Sequence, residues 1–229
     1  LHSPAGPDLL EKEETLEGVH EAFKLGIFEH FGLSNFSSTQ VQHVYDVCRD
    51  KGFVLPTVYE GLYNPVNRLP EEELFPLLRK LGIAFNAYSV LAGGFLTKTR
   101  SHIINGEGRF GKDQYRGLYS EQYNNEAFLQ ALNDWGAVAE QEGVTRADLA
   151  HRWMVHHSAL KADLGDGILL GGRFSQLEEM LDGIKRGPLS ETAVEKIQGL
   201  WERLRPSVKY ENNLQAMLAA AAKGGSDRL

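Results

Sequence analysis

Val54-Leu55-Pro56-Thr57-Val58-Tyr59, Glu71 through Leu81, and Ile83-Ala84-Phe85-Asn86-Ala87-Tyr88-Ser89 read as strand, helix and strand in direct succession. Gly52 and Gly61 bound the first run, and Gly82 separates the helix from the second. The acidic triplet Glu71-Glu72-Glu73 suits the positive N-terminal end of a helix dipole. Two strands joined by a helix pair in parallel, which is the unit of α/β folds.

The same alternation extends both ways. Upstream, helical periodicity over Glu14–Phe28 places Leu16, Val19, Phe23 and Leu25 on one side. A strand-like run His30–Ser34 follows, then a helix over Thr39–Lys51. Downstream, helices are expected at Glu121–Glu142 and Arg146–Ser158, a strand at Gly167–Leu170, and helices at Ser175–Lys185 and Glu191–Leu204. The alanine-rich Leu214–Ala222 reads as a terminal helix. Between Val90 and Ser120 no regular element is expected. A loop of that length is uncommon unless it is functional.

Composition bounds the function. The chain has 229 residues, 24 Lys plus Arg and 31 Asp plus Glu, for a net charge of −7. An acidic chain without a basic stripe counts against nucleic-acid binding, and no polybasic run offers itself to an anionic membrane surface. No apolar run reaches the roughly 18 residues of a transmembrane helix. The single cysteine, Cys48, builds no internal bridge, which suits a reducing compartment such as the cytoplasm or a chain that needs no bridge.

The polar and glycine residues gather where the strands end: Ser34-Asn35, Glu60, Tyr88-Ser89 and Gly171-Gly172-Arg173. In barrels of parallel strands that rim carries the active site. Ser34-Asn35 offers a donor and an acceptor of the kind a primary amide needs, although turns and caps use the same residues. Tyr88 is either a ring to stack on a flat ligand or a core tyrosine. Gly171-Gly172-Arg173 opens a helix, where backbone N–H groups and a guanidinium attract phosphate. Gly106-Glu107-Gly108-Arg109-Phe110-Gly111 spells a GxGxxG, but no strand precedes it and no good helix follows, so it reads as a mobile glycine loop carrying Arg109. His151, His156 and His157 lack metal-binding spacing and read as packing or surface histidines.

The ordered set of segments resembles the aldo-keto reductases, in the aflatoxin-aldehyde reductase (succinic semialdehyde reductase) branch with its fungal relatives. It includes Leu1-His2-Ser3-Pro4, Gly32-Leu33-Ser34-Asn35-Phe36, Pro56 through Asn64, Glu73-Leu74-Phe75-Pro76, Leu91 through Thr97, Gly108-Arg109-Phe110, Arg152 through Ser158, Ile168 through Gly171 and Gln176-Leu177-Glu178. The match runs from residue 1 to about Trp201. The resemblance implies a (β/α)8 TIM barrel without a Rossmann domain, NADPH (or NADP) as cofactor, and reduction of an aldehyde or ketone to an alcohol. It implies that Ser34 and Asn35 hold the nicotinamide carboxamide, with Glu60 where the family usually has Gln. It further implies that Tyr88 stacks on the nicotinamide, that Ser89, Leu91 and Gly93 belong to the diphosphate strap, and that Arg109 closes on the cofactor. Arg173, Gln176 and Glu179 fall where the 2′-phosphate and adenine are held, and His2 matches the catalytic histidine that orients the carbonyl.

Three departures stand out: the carboxylate of Glu60, Gly172 where Ser is common, and Met180 where Asn usually touches adenine. The family's Asp, Tyr and Lys fall before residue 1. The expectation is therefore an incomplete barrel, from the end of strand 4 through strand 8, in residues 1–205, with a tail at 206–229. Residues 1–229 alone are expected to be inactive. The expected partner is a small-molecule carbonyl compound, with a possible homodimer and no nucleic acid, membrane or metal. A non-catalytic nucleotide- or partner-binding subunit remains the alternative.

Overall fold

The computed structural model describes residues 1–4, 10–209, 212 and 215. The terminal helix expected at Leu214–Ala222, and most of the tail, lie outside the described residues. The described chain is an α/β protein with a parallel sheet. Its strands β1 (Phe31–Ser34), β2 (Pro56–Leu62), β3 (Ala84–Tyr88) and β4 (Gly167–Ile168) stand side by side in chain order. β1 pairs with β2 in parallel, Ser34 facing Glu60. No helix among the described residues is long and apolar enough to cross a membrane.

The chain divides into two compact units. The first comprises residues 1–61, 70–86 and 161–167. It contains α1 (Glu13–Lys24), α2 (Ser38–Lys51) and α3 (Leu74–Leu81). A capping box starts α2: the Ser37 hydroxyl accepts from Gln40 N, and the Gln40 side chain accepts from Ser37 N. α1 stops at Lys24, short of the expected Phe28, because Gly26 turns the chain at φ +71°. α3 starts at Leu74, after the acidic triplet. Pro76 has no N–H to bond back to Glu72, so it can stand only in a first turn, where such donors are unpaired anyway.

Packing in this unit centres on aromatic residues. Tyr59 and Phe85 stack at 5.7 Å, and Phe75 meets the edge of Phe85 at 4.7 Å. A Cβ on Gly61 would fall into the Phe85 ring, so that position needs a glycine. Below the strands, the fully buried Asp166 carboxylate accepts from both Arg79 guanidinium nitrogens (2.9 and 2.5 Å), from Phe85 N (2.8 Å) and from Lys161 N (2.7 Å). Cys48 is buried and unbridged, and burial pushes its thiol up to about 11, so it stays protonated and inert.

The second unit comprises residues 62–69, 87–160 and 168–229. Its helices are α4 (Arg100–Ile104), α5 (Leu118–Tyr123), α6 (Glu126–Glu142), α7 (Arg146–His156), α8 (Phe174–Lys185) and α9 (Glu191–Leu204). The single helix expected over Glu121–Glu142 is two, because the Asn125 side chain accepts from Phe128 N and caps a new start. The irregular segment expected from Val90 to Ser120 is built of 3₁₀ turns and α4. Phe110 pins it: that ring is 2% exposed and lies against Phe95, Tyr119 and Tyr123. The expected strand Gly167–Leu170 is regular only to Ile168, although Leu169 N still donates to Ala87 O at 2.9 Å.

Candidate functional site

In the first unit, β1 and β2 bring Ser34 and Glu60 into register at their C-terminal ends. Asn35 follows at φ +64°, a left-handed conformation that Asn tolerates better than most residues. Its amide nitrogen donates to the His2 carbonyl (2.9 Å) and to the Ser34 hydroxyl (3.1 Å). Ser34 N in turn donates to Leu1 O at 2.9 Å. His2, Ser34, Asn35 and Glu60 thus form one local group, with Ser34 and Asn35 buried and the side chains of His2 and Glu60 exposed. The backbone of His2, not its imidazole, is what Asn35 holds.

In the second unit, a cleft of about 850 Å³ opens at the end of β3. Tyr88, Ser89, Leu91, Gly93 and Arg109, five of the residues singled out in the sequence, line it. The backbone turns sharply there. Ser89, Ala92, Gly93 and Gly94 all have positive φ (58°, 53°, 67° and 99°). For Ser and Ala that region is strained, and strain held in place by its surroundings is characteristic of functional loops.

The surroundings that hold it are visible. The Ser89 hydroxyl accepts from Gly93 N (3.0 Å), and Ala92 N donates to Ser89 O (2.7 Å). Asn64, fully buried, donates from its amide to Ser89 O (3.1 Å) and accepts from Val66 N (3.1 Å). Gly93 sits where a Cβ would fall into the Tyr119 ring. Among the described residues, the N–H groups of Val90 and Leu91 have no hydrogen-bond acceptor, and both residues line the cleft. Lys98 and Arg109 add positive charge to the lining, and Arg109 lies over the Tyr115 ring at 5.4 Å.

Arg173, Gln176 and Glu179 are exposed at the start of α8 and do not line the cleft themselves. Arg173 is the N-cap residue, and its N–H donates to the Gln176 side chain at 3.0 Å. Their neighbours Gly171 and Met180 do line the cleft. His156 bonds to Ile184 O (3.1 Å), and His157 Nε2 accepts from Leu189 N (2.8 Å). No group of three His, Cys, Asp or Glu among the described residues is placed to hold a metal.

The aldo/keto reductase family aligns with residues 2–202. The chain belongs to the aldo/keto reductase family. Among individual proteins, the oxidoreductase sirO of Leptosphaeria maculans is 38% identical over 207 residues, covering 90% of this chain and 62% of that protein. Aldo-keto reductase family 7 member A3 of Homo sapiens is 36% identical over 200 residues, covering 82% and 60%. Aflatoxin B1 aldehyde reductase member 2 of Rattus norvegicus is 36% identical over 211 residues, covering 88% and 57%. This aldo/keto reductase chain therefore falls in the aflatoxin-aldehyde reductase branch, and it spans about three fifths of the length of these relatives.

Two lining or supporting residues escaped the sequence reading. Asn64 opens Asn64-Pro65-Val66-Asn67, and its Asn-Pro pair is a turn signal that pointed to a structured corner. His151 lines the cleft at 2% exposure. It sits inside an amphipathic helix, where nothing in the spacing separates it from a packing residue. Burial holds its imidazole below the ordinary histidine range, against the opposing pull of the Asp148 carboxylate.

Proposed function

We propose that this protein works in NADPH-dependent reduction of an aldehyde or ketone to an alcohol, with the cleft at the end of β3 as its diphosphate site. The observation that carries the reading is the strained Ser89–Gly94 turn, held open by Asn64, with the Val90 and Leu91 N–H groups lining the cleft unpaired. Adjacent backbone N–H groups in such turns form anion-binding concavities. The residues fit a dinucleotide: two free donors, two flanking cations and a volume suited to an organic ligand.

In this reading Val90 and Leu91 bind a diphosphate oxygen through their backbone, and Arg109 and Lys98 neutralise its charge. Gly93 leaves the backbone bare where a side chain would clash. Tyr88 presents a ring at the head of the turn. When bound, the cofactor supplies the hydride that a carbonyl carbon accepts. The roles that the resemblance implies for His2, Ser34, Asn35 and Glu60 belong to this same proposal. So do the cytoplasm as the place of action, where a reduced thiol such as Cys48 persists, and a small carbonyl compound as substrate.

The test is binding of NADPH and NADH to the full chain, followed by tryptophan fluorescence, for the parent and for Arg109→Ala. The reading expects NADPH to bind the parent more tightly than NADH and the variant to bind both more weakly. A charge-assisted contact on this scale is worth about tenfold in affinity. A parent that binds neither nucleotide would remove the reading.

A further inference from the structure

The middle of α7 carries a polar atom without a partner. His151 is 2% exposed, and its Nε2 makes no hydrogen bond among the described residues. Buried imidazoles normally find a donor or acceptor, because an unpaired one loses its hydration with nothing in return. On the same helix the Arg152 guanidinium is satisfied, donating to Gly187 O (2.8 Å) and Pro188 O (2.7 Å), whereas the buried Asp148 Oδ1 also lacks a hydrogen-bond partner. Of these two, only His151 stands in the wall of the cleft, with Ser89, Val90, Leu91 and Gly171.

That wall therefore gathers three polar groups without partners: the Val90 and Leu91 N–H groups and the His151 imidazole. All three can donate, the imidazole when its proton is on Nε2. One multi-oxygen anion could answer all three. A packing role would be served as well by leucine, a residue of similar bulk that has no polar atom to strand.

We propose that His151 is a dinucleotide-contacting residue of the cleft, its Nε2 donating to an oxygen of the bound diphosphate. The inference rests on the reading of the cleft as a dinucleotide site and adds to it a residue from α7. It makes His151 a side chain that costs stability in the free chain and returns it as affinity.

The experiment joins two variants with one measurement on the unmodified protein. In the full chain labelled with ¹⁵N in its histidine rings, the His151 resonances are assigned by their loss in His151→Gln. NADP⁺ is then added while tryptophan fluorescence reports binding. The proposal expects the His151 Nε2 resonance to move as the fluorescence saturates. It also expects His151→Leu to melt about 2–4 °C higher without ligand and to bind NADP⁺ about tenfold more weakly. NADP⁺ binding with an unmoved His151 resonance overturns the proposal and leaves the cleft reading intact. So does a leucine variant that binds as tightly as the parent. Failure of the parent to bind NADP⁺ overturns both. Should the leucine variant not fold, the resonance of the unmodified chain still decides.

Discussion

The amide of Asn64 holds the carbonyl of Ser89 at 3.1 Å, 25 residues further along the chain. Ser89 is at φ +58°, and Asn64 is fully buried. A strained serine and a buried amide explain each other. The amide gives the carbonyl a second donor beside the Ala92 N–H of the turn, and the turn gives the amide a reason to be buried.

Replacing Asn64 with Ala should therefore strand Val66 N and take one of two donors from Ser89 O, which keeps the Ala92 N–H. Each buried group left unpaired costs about 1–3 kcal/mol. The expected result is a fall in melting temperature of roughly 3–8 °C, since 1 kcal/mol moves a domain of this size by about 2–4 °C. NADPH binding should weaken in parallel, because the turn loses its support. A variant with unchanged melting and binding would show that Asn64 holds nothing in place.

The α/β alternation was legible because both periods are local: β3 shows alternating burial, and the helices carry apolar faces over three or four turns. The boundaries that slipped did so for reasons outside local periodicity. Pro76 moved the start of α3, and Asn125 split a continuous-looking helix by capping it. Ser89 was legible as a strand end and Arg109 as the cation of a glycine loop, whereas Leu91 and Gly93 were singled out through the family resemblance alone. Asn64 and His151 were not legible, because their importance lies in what they face across the fold, and residues 64 and 89 or 91 and 151 are far apart in the chain.

Gly93 and Gly94 offer a comparison of neighbours. Both have positive φ, so alanine is strained at either. Only at Gly93 would the new Cβ also fall into Tyr119; at Gly94 nothing lies within 4 Å. Gly93→Ala should be the more destabilising by about 1–3 kcal/mol, the usual cost of overpacking. Urea unfolding of the two variants checks it, and equal midpoints would mean that the Tyr119 ring yields freely.

Asp166 tests the other unit. Asp166→Ala would leave the Arg79 guanidinium and the Phe85 and Lys161 N–H groups without their acceptor. Breaking a buried pair from one side costs about 3–5 kcal/mol. The melting temperature should drop on the order of 10 °C. A smaller loss in Arg79→Met, which removes the partner but leaves the two backbone bonds, would separate the ion pair from the backbone anchor.

The last prediction concerns acid. His157 Nε2 accepts from Leu189 N, so the ring must be neutral there with its proton on Nδ1. Burial chiefly, with the charges of His156 and Arg152, holds His157 below its ordinary value of 6.5, partly offset by Glu142. His151 is shifted the same way by burial. In both cases the unfolded chain takes up a proton more readily than the folded one, so stability must rise with pH through this range. The contribution is complete above about pH 6.5, the unfolded histidine value. It is lost as pH falls from there through the folded values, and levels off below them. Melting measured from pH 7.5 to pH 5 should show this decline. His157→Gln keeps an acceptor for Leu189 N but cannot titrate, so it should flatten the curve while leaving the pH 7.5 value nearly unchanged. A variant whose melting falls with acid as steeply as the parent's would show that His157 does not drive the acid sensitivity.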